Sequence, residues 1–286
     1  FRNCSGLTSI DIPSNVTKIE NGAFCNCTSL ASVNLSHGLD SIGSKYYDYY
    51  SGDKGTFEGC TSLTSINIPN SVRYIGKNAF KDCTGLTSID IPSSVTKIEN
   101  GTFYNCTSIT SVNLSHGLDS IGSRYFNSED KGVFEDCTSL ASINIPGSVT
   151  SIGKETFKGC SGLDSVTVHW QTPLQVDQSV FGGVTLGNVK LIVPFGKKNV
   201  YKTAQVWRDF SPIVEQAPIN YIVTYNQSAG GTFKLKNGLQ DIVSGSSVQE
   251  NTMLTVEATP AQGYKLDSIR VNGTRISGLS FTVNSN

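Results

Sequence analysis

One short pattern returns along the first two-thirds of the chain and constrains its fold more than any other feature. The typical copy has Phe, then Cys three residues later, Leu or Ile three residues after that, two aliphatic residues at alternate positions, and a second apolar pair. Most Phe markers are 23 or 24 positions apart, and two intervals are longer, at 33 and 31; the markers are Phe1, Phe24, Phe57, Phe80, Phe103, Phe134, Phe157 and Phe181. Such regular spacing predicts a stack of one repeated structural unit.

The interval identifies the kind of unit. A period near 23 residues lies in the range of leucine-rich repeats and below the 33 or more of helix-pair repeats. Apolar and polar residues alternate within each copy, as in residues 7–13 (LTSIDIP), which is typical of a short strand followed by a turn. One coil buries too few side chains to offset its backbone entropy, so the coils must stack into a mostly β solenoid.

A segment longer than one repeat is also duplicated in the sequence. Residues 4–44 are matched by residues 83–123, so a block of three coils has been copied together with its insert. The two inserts, 44–56 and 123–133, must therefore emerge at the same point of the coil, three coils apart. They carry the candidate partner-binding residues, Tyr46, Tyr47, Tyr49, Tyr50, Tyr125 and Phe126. Exposed Tyr clusters are common in interfaces; the alternative is that these rings fold back over the edge of the coil.

The repeat resembles that of a known family. The pattern Phe-x-x-Cys-x-x-Leu-x-x-Ile-x-Ile-Pro-x-x-Val-x-x-Ile-Gly, from Phe1 to about Val184, is similar to the leucine-rich repeat of BspA-like bacterial surface proteins. Ser36 and Ser115 depart from it, standing where the pattern has Pro. The resemblance implies a cell-surface or secreted protein that adheres to host proteins, such as the extracellular matrix, or to neighbouring cells. It carries no catalytic signature.

The cysteines follow the repeat rather than a metal-binding or disulfide pattern. Cys-x-x-Cys pairs typical of zinc sites do not occur. Neighbouring coils would hold the column's Cβ atoms about 5 Å apart with parallel Cα–Cβ vectors, whereas a disulfide needs about 3.8 Å. The column is therefore predicted to consist of buried free thiols: Cys4, Cys27, Cys60, Cys83, Cys106, Cys137 and Cys160. Cys25 stands outside it, as either an exposed thiol or a silent substitution.

Composition and the remaining polar residues argue against several classes of function. A net charge of −1 with 16% charged residues offers no basic field for nucleic acid, and no apolar run reaches the about 20 residues that span a bilayer. His37 and His116 are copies of one turn residue and do not converge with a nucleophile, and His169 follows in the cap. We expect no enzyme, cofactor or metal site.

The chain changes character after Cys160. We predict a solenoid over residues 1–217 with a C-terminal cap over about 164–217. The cap should contain a last strand at Val189 to Val193 and a short helix from about Lys197 to Val206, closed by Tyr201, Val206, Trp207 and Phe210. Residues 218–286 alternate apolar and polar residues between turns, which predicts a small all-β domain. Its run ATPAQGYKLDSIRVNG resembles the B repeats of internalins.

These observations favour a non-enzymatic adhesion protein with a protein partner. The alternatives are a structural spacer or stalk of the bacterial surface and, less favoured, a carbohydrate-binding module, because the outward Ser and Asn columns of the strands lack aromatic residues. Since Phe1 falls inside a repeat, an export signal or lipid anchor is expected upstream, and the protein is expected to be extracellular or on the cell surface.

Overall fold

A computed structural model of the chain contains two compact units, residues 1–216 and 217–286. The structure describes residues 1–44, 54–123, 130–226, 230–249 and 252–283. Within these ranges no helix has both the length and the apolar character needed to cross a membrane.

The first unit is a stack of coils whose longer strands pair in parallel, each with its equivalent one coil further on. Ser142 lies opposite Ser165, and Ile143 lies opposite Val166. In the third coil residues 65–68 are not a strand, although Ile66 and Ile68 are buried there. The strands of this long-strand face are Ser9–Asp11, Ser32–Asn34, Ser88–Ile91, Ser111–Leu114, Ser142–Ile145, Ser165–Val168, Lys190–Val193 and Ile213–Glu215.

A second parallel sheet runs along the same coils and is made of two-residue strands. It has six strands in the described part of the chain, and Ile42 pairs with Ile19 on one side and Ile75 on the other. Its strands are Lys18–Ile19, Ser41–Ile42, Tyr74–Ile75, Lys97–Ile98, Ser120–Ile121 and Ser151–Ile152. The predicted β solenoid of the leucine-rich-repeat class is therefore confirmed.

The core consists of columns of identical side chains. The eight Phe markers stack with ring centroids 5.3–5.7 Å apart and interplanar angles of 3–14°. Neighbouring strands lie only about 4.8 Å apart, so these near-parallel rings are offset, which is the arrangement that aromatic quadrupoles prefer. From Phe24 to Phe181 every ring is at least 97% buried.

The cysteine column beside the Phe column consists of free thiols, as predicted. From Cys27 to Cys160 each thiol is buried and donates to a Phe carbonyl oxygen of the preceding coil over 3.1–3.2 Å. One expectation is wrong in detail: Cys4, in the first coil, is exposed. Cys25 is fully buried, so of its two alternatives the exposed thiol does not hold.

The cap closes the core as predicted but with less helix. The α-helix covers only Lys198–Tyr201, and the chain then turns at Val206, whose φ of 70° is positive. This turn sends Trp207 into the core, where its indole N–H donates to the carbonyl oxygen of Leu174 over 2.7 Å. Short 3-10 helices cover Gln178–Phe181, Leu186–Asn188 and Trp207–Asp209.

Two cap strands differ from the prediction. The predicted strand at Val189 to Val193 is observed as Lys190–Val193, and Ile213–Glu215 adds one further strand to the same sheet. Four aromatic or apolar residues named as the closing set are buried; they are Tyr201, Val206, Trp207 and Phe210.

All the strands described in the second unit pair antiparallel, which confirms the predicted small all-β domain. Gly231–Asn237 pairs with Gln240–Ile242 and with Met253–Pro260. The remaining strands are Asn220–Val223, Ser246–Gln249, Ile269–Val271, Thr274–Ile276 and Ser280–Thr282. The resemblance of this unit to internalin B repeats stays a prediction.

Candidate functional site

The six residues predicted to bind a partner lie outside the described part of the chain, in residues 45–53 and 124–129. They are Tyr46, Tyr47, Tyr49, Tyr50, Tyr125 and Phe126. The structure does describe the points where both inserts leave and rejoin the solenoid. We call these four residues the insert stems: Ser44 and Lys54 for the first insert, and Ser123 and Asp130 for the second.

Both inserts leave the coil at the same backbone feature. Gly43 and Gly122 have φ values of 92° and 81°, a left-handed conformation that favours glycine. The next residue then donates its backbone N–H to an Asn side chain one coil earlier, Ser44 to Asn21 over 2.9 Å and Ser123 to Asn100 over 2.7 Å. The copied block therefore places the two departure points at equivalent positions.

Both inserts rejoin the coil above a buried carboxylate. Glu58 accepts the backbone N–H of Gly55, and Glu135 accepts that of Gly132, each over 2.9 Å. The two Glu side chains are 6% and 3% exposed. A buried charge is costly unless it is paired, and each carboxylate is paired with a lysine of the next coil, at 3.2 Å for Lys81 and 3.1 Å for Lys158.

Ionic and polar contacts also connect the surface between the two insert stems. Asp130, at the second stem, is buried and contacts the Lys77 Nζ at 2.8 Å and the Asn100 amide at 3.3 Å. The Tyr74 hydroxyl donates to the carbonyl oxygen of Ser44, at the first stem, over 3.4 Å. Burial, together with the nearby charge of Glu99, raises the pKa of Tyr74, so its hydroxyl remains a donor near neutral pH.

The two stems are close enough for one partner to contact both inserts. Phe57 and Phe134 are the Phe markers that follow the two inserts. Three successive ring-centroid distances of 5.3–5.4 Å separate them. The return points therefore lie about 16 Å apart along the stack. This distance is well within the width of a standard protein–protein interface, which has about 800 Å² on each side.

An aromatic side chain near the second return point was not identified from the sequence. Tyr104 is half-buried, and the ammonium groups of Lys131 and Lys81 lie 5.4 and 6.0 Å from its ring centroid, within cation–π range. Cys25 occupies the equivalent position in the first block. This Cys-to-Tyr difference between otherwise matching segments is the signal that could have identified it.

The histidines do not form a catalytic arrangement in the described residues. His37 and His116 are exposed, and His169 Nε2 lies 2.7 Å from the Asn144 side-chain oxygen. Burial, and to a lesser degree the nearby His116, lowers the pKa of His169. The described ranges also contain no group of three or more His, Cys, Asp or Glu side chains placed to hold a metal ion.

The family is established by the repeat itself. The sequence model described as the BspA type leucine rich repeat region matches six copies, over residues 1–51, 49–131 and 129–197. The chain therefore belongs to the family of proteins with BspA-type leucine-rich repeats. Solenoids of this class are typically non-enzymatic and mediate protein–protein interaction. No curated protein matches the sequence.

Similar solved structures are bacterial leucine-rich-repeat proteins. One from Bacteroides ovatus is 22% identical, with a TM-score of 0.34, over 76% of this chain and 62% of that chain. One from T. pallidum is 25% identical, with a TM-score of 0.36, over 56% of this chain and 58% of that chain. A leucine-rich cell surface protein from Faecalibacterium prausnitzii is 21% identical, with a TM-score of 0.29, over 76% and 62%. The matches thus span about three-fifths of each of these proteins.

Proposed function

We propose that this protein is a cell-surface or secreted adhesion protein that binds a protein partner through its two inserts. The partner belongs to the host extracellular matrix or to the surface of another cell. Family membership supports the general role in protein–protein interaction, and the paired insert stems support the position of the site.

The observation that carries the proposal is the duplicated anchoring of the two inserts. A solenoid coil closes without an insert, as the coils with a 23-residue interval do. Here two coils hold an added loop, and each loop returns over a buried Glu that is paired with a lysine. The loops contain four Tyr in one case and Tyr with Phe in the other, and such rings bury a large area at low entropic cost.

The long-strand face is a less suitable binding surface. Its outward columns consist of short polar side chains, most of them exposed; they are Ser9, Ser32, Ser65, Ser88, Ser111, Ser142 and Ser165, and Asp11, Asn34, Asn67, Asp90, Asn113, Asn144 and Thr167. These columns contain no aromatic ring on which a sugar or base could stack.

The test begins with the partner. We expect the 286-residue chain to capture a protein from a panel of immobilised extracellular-matrix proteins and to give no saturable signal on a glycan array. The variant Tyr47→Ser, Tyr49→Ser, Tyr50→Ser should then lose at least about tenfold in affinity, since truncating a central interface residue costs about 2 kcal/mol or more. Its melting temperature should stay nearly unchanged.

A tyrosine elsewhere provides the matched control. Tyr264 in the second unit is 63% exposed, so Tyr264→Ser should leave both affinity and melting temperature unchanged. A large loss of stability in the triple variant would instead favour rings that fold back over the coil. Binding that resists this substitution and Tyr125→Ser, Phe126→Ser would refute the site, and the absence of any protein partner would favour a spacer role.

A further inference from the structure

The second unit contains an open groove, lined by polar and apolar groups, that its described strands do not fill. The cavity measures about 810 Å³, and its lining includes residues 221–226 and residues 268–272. Apolar side chains of the four-stranded sheet also line it, and we call Phe233, Val256 and Phe281 its floor.

Two of the strands that line this groove are edge strands. Asn220–Val223 pairs with Ser246–Gln249, and Ile269–Val271 pairs with Thr274–Ile276, and within the described residues neither has a second partner strand. An edge strand presents a row of backbone groups that can pair with another chain. Both edges border the same cavity.

The direction of the free backbone groups follows from the pairing. In an antiparallel pair, alternate residues direct both N–H and C=O away from the partner strand. Val223 accepts a bond from Gly245 on its partner's side, so Ile222 directs its backbone groups the other way. Asn272 and Gly273, with φ of 49° and 79°, form a two-residue turn closed by Val271 and Thr274, so Arg270 likewise directs its backbone groups away from its partner.

The charge at the groove is positive. Arg270 is the one charged side chain among the described residues that line it. It is exposed, its guanidinium donates to the Gly273 carbonyl oxygen over 3.0 Å, and its cross-strand neighbour is Arg275. Like charges directly opposite each other are destabilising, so a carboxylate beside Arg270 would be favoured.

We propose that this groove accepts one extended segment of a partner protein, which adds as a β-strand between Asn220–Val223 and Ile269–Val271. The segment has apolar residues at alternate positions, which face the floor, and a carboxylate beside Arg270. Backbone hydrogen bonds to the two edges supply affinity, and the alternate side chains supply specificity. This inference is independent of the inserts in the first unit.

A synthetic peptide tests the groove. The probe is a nine-residue peptide in which Val alternates with Thr, with one central Thr replaced by Glu, titrated into the isotope-labelled 286-residue chain. We expect saturable changes in the amide NMR signals of residues 220–223 and 269–271. A peptide with Pro in place of its central Val should bind at least about tenfold more weakly, because it lacks an edge-pairing N–H.

Charge variants provide the matched comparison. Arg270→Glu should weaken binding of the Glu peptide about two- to fivefold, as expected for an exposed ion pair, whereas Lys202→Glu, the same charge change at an exposed position of the first unit, should leave it unchanged. The proposal is overturned by equal binding of the Val and Pro peptides, or by signal changes confined to other residues. It is also overturned if the chain alone shows concentration-dependent dimerisation through the same amides, because the occupant is then a second copy.

Discussion

The thiol of Cys106 donates a hydrogen bond to the carbonyl oxygen of Phe80, in the preceding coil, over 3.1 Å. Both side chains are fully buried, so the thiol connects two neighbouring levels of the core. We expect Cys106→Ala to lower the free energy of unfolding by about 1–2 kcal/mol, because it removes this bond and leaves a small cavity. Urea unfolding followed by circular dichroism measures the change.

Cys4 provides the control for this substitution. It occupies the same slot of the repeat but is exposed. Cys4→Ala should therefore change the free energy of unfolding by less than about 0.5 kcal/mol. Equal losses in the two variants would contradict the role assigned to the buried column.

The same burial controls thiol reactivity. Burial raises the pKa of Cys60 and Cys160 to about 12, and it also raises the pKa of Cys83, Cys106 and Cys137. The thiolate is the reactive form, so these side chains should remain unmodified by a thiol reagent at pH 8 in the folded protein. We expect one fast-reacting thiol, Cys4, which Cys4→Ser removes. Unfolding without reductant should expose eight reactive thiols, and markedly fewer would contradict the free column.

The register of the solenoid could be predicted from the sequence because each coil repeats the same markers. Ser142 and Ser165 occupy the same position of the repeat. Parallel pairing of successive coils must therefore place them opposite each other, as observed. The cap lacks those markers. Strand Ile213–Glu215 and the positive-φ turn at Val206 depend on how Trp207 packs against the last coil, which local sequence does not encode.

The sequence predicts where the two inserts leave the solenoid, but it does not predict which residues anchor them. The copied block indicates where both inserts emerge. Glu58 and Glu135 follow a Phe marker, at a slot that holds Lys81 and Tyr104 in other coils, so a charged residue there resembles an ordinary surface residue. Their role depends on the buried N–H groups of Gly55 and Gly132, which become evident only in three dimensions.

The glycine at the start of the second insert should be sensitive to substitution. Gly122 has a φ of 81°, and a Cβ atom there would lie 3.3 Å from the Cα of Gly153. We expect Gly122→Ala to lower the free energy of unfolding by about 1–2 kcal/mol, since the left-handed conformation is strained for L-residues. Gly187 has no atom within 4 Å of an added Cβ, so Gly187→Ala should be nearly neutral in the same urea titration. A neutral Gly122→Ala would show that the stem adapts freely.

His169 should make stability depend on pH below neutrality. Burial and the neighbouring His116 lower its pKa in the folded state from the ordinary value of 6.5, and the uncharged Asn144 and Gln216 also face the ring. The unfolded chain therefore binds a proton more readily, and this contribution to stability falls as the pH drops below about 6.5. Chemical unfolding at pH 7 and pH 5 should show a smaller decrease for His169→Gln than for the unmodified protein. His37→Gln, at an exposed turn, should behave like the unmodified protein, and identical behaviour of all three would contradict the assignment.

The two contacts of Glu135, the carboxylate that anchors the second insert, can be tested separately. In Glu135→Gln the side-chain oxygen can still accept the Gly132 N–H, but the ion pair with Lys158 is lost, whereas Glu135→Ala removes both. We expect Glu135→Ala to lower the free energy of unfolding by about 1–3 kcal/mol, because it leaves a buried donor unpaired, and Glu135→Gln to have a smaller effect.

An exposed ion pair serves as the comparison for Glu135. Asp40 and Arg73 approach to 3.7 Å with side chains 54% and 80% exposed, so Asp40→Ala should change stability by less than about 1 kcal/mol. Hydrogen exchange at Gly132 gives a second measurement, because loss of its acceptor should speed exchange in Glu135→Ala but much less in Glu135→Gln. If both variants exchange like the unmodified protein, the carboxylate does not hold the return of the insert, and the anchoring that supports the proposed binding site loses its structural basis.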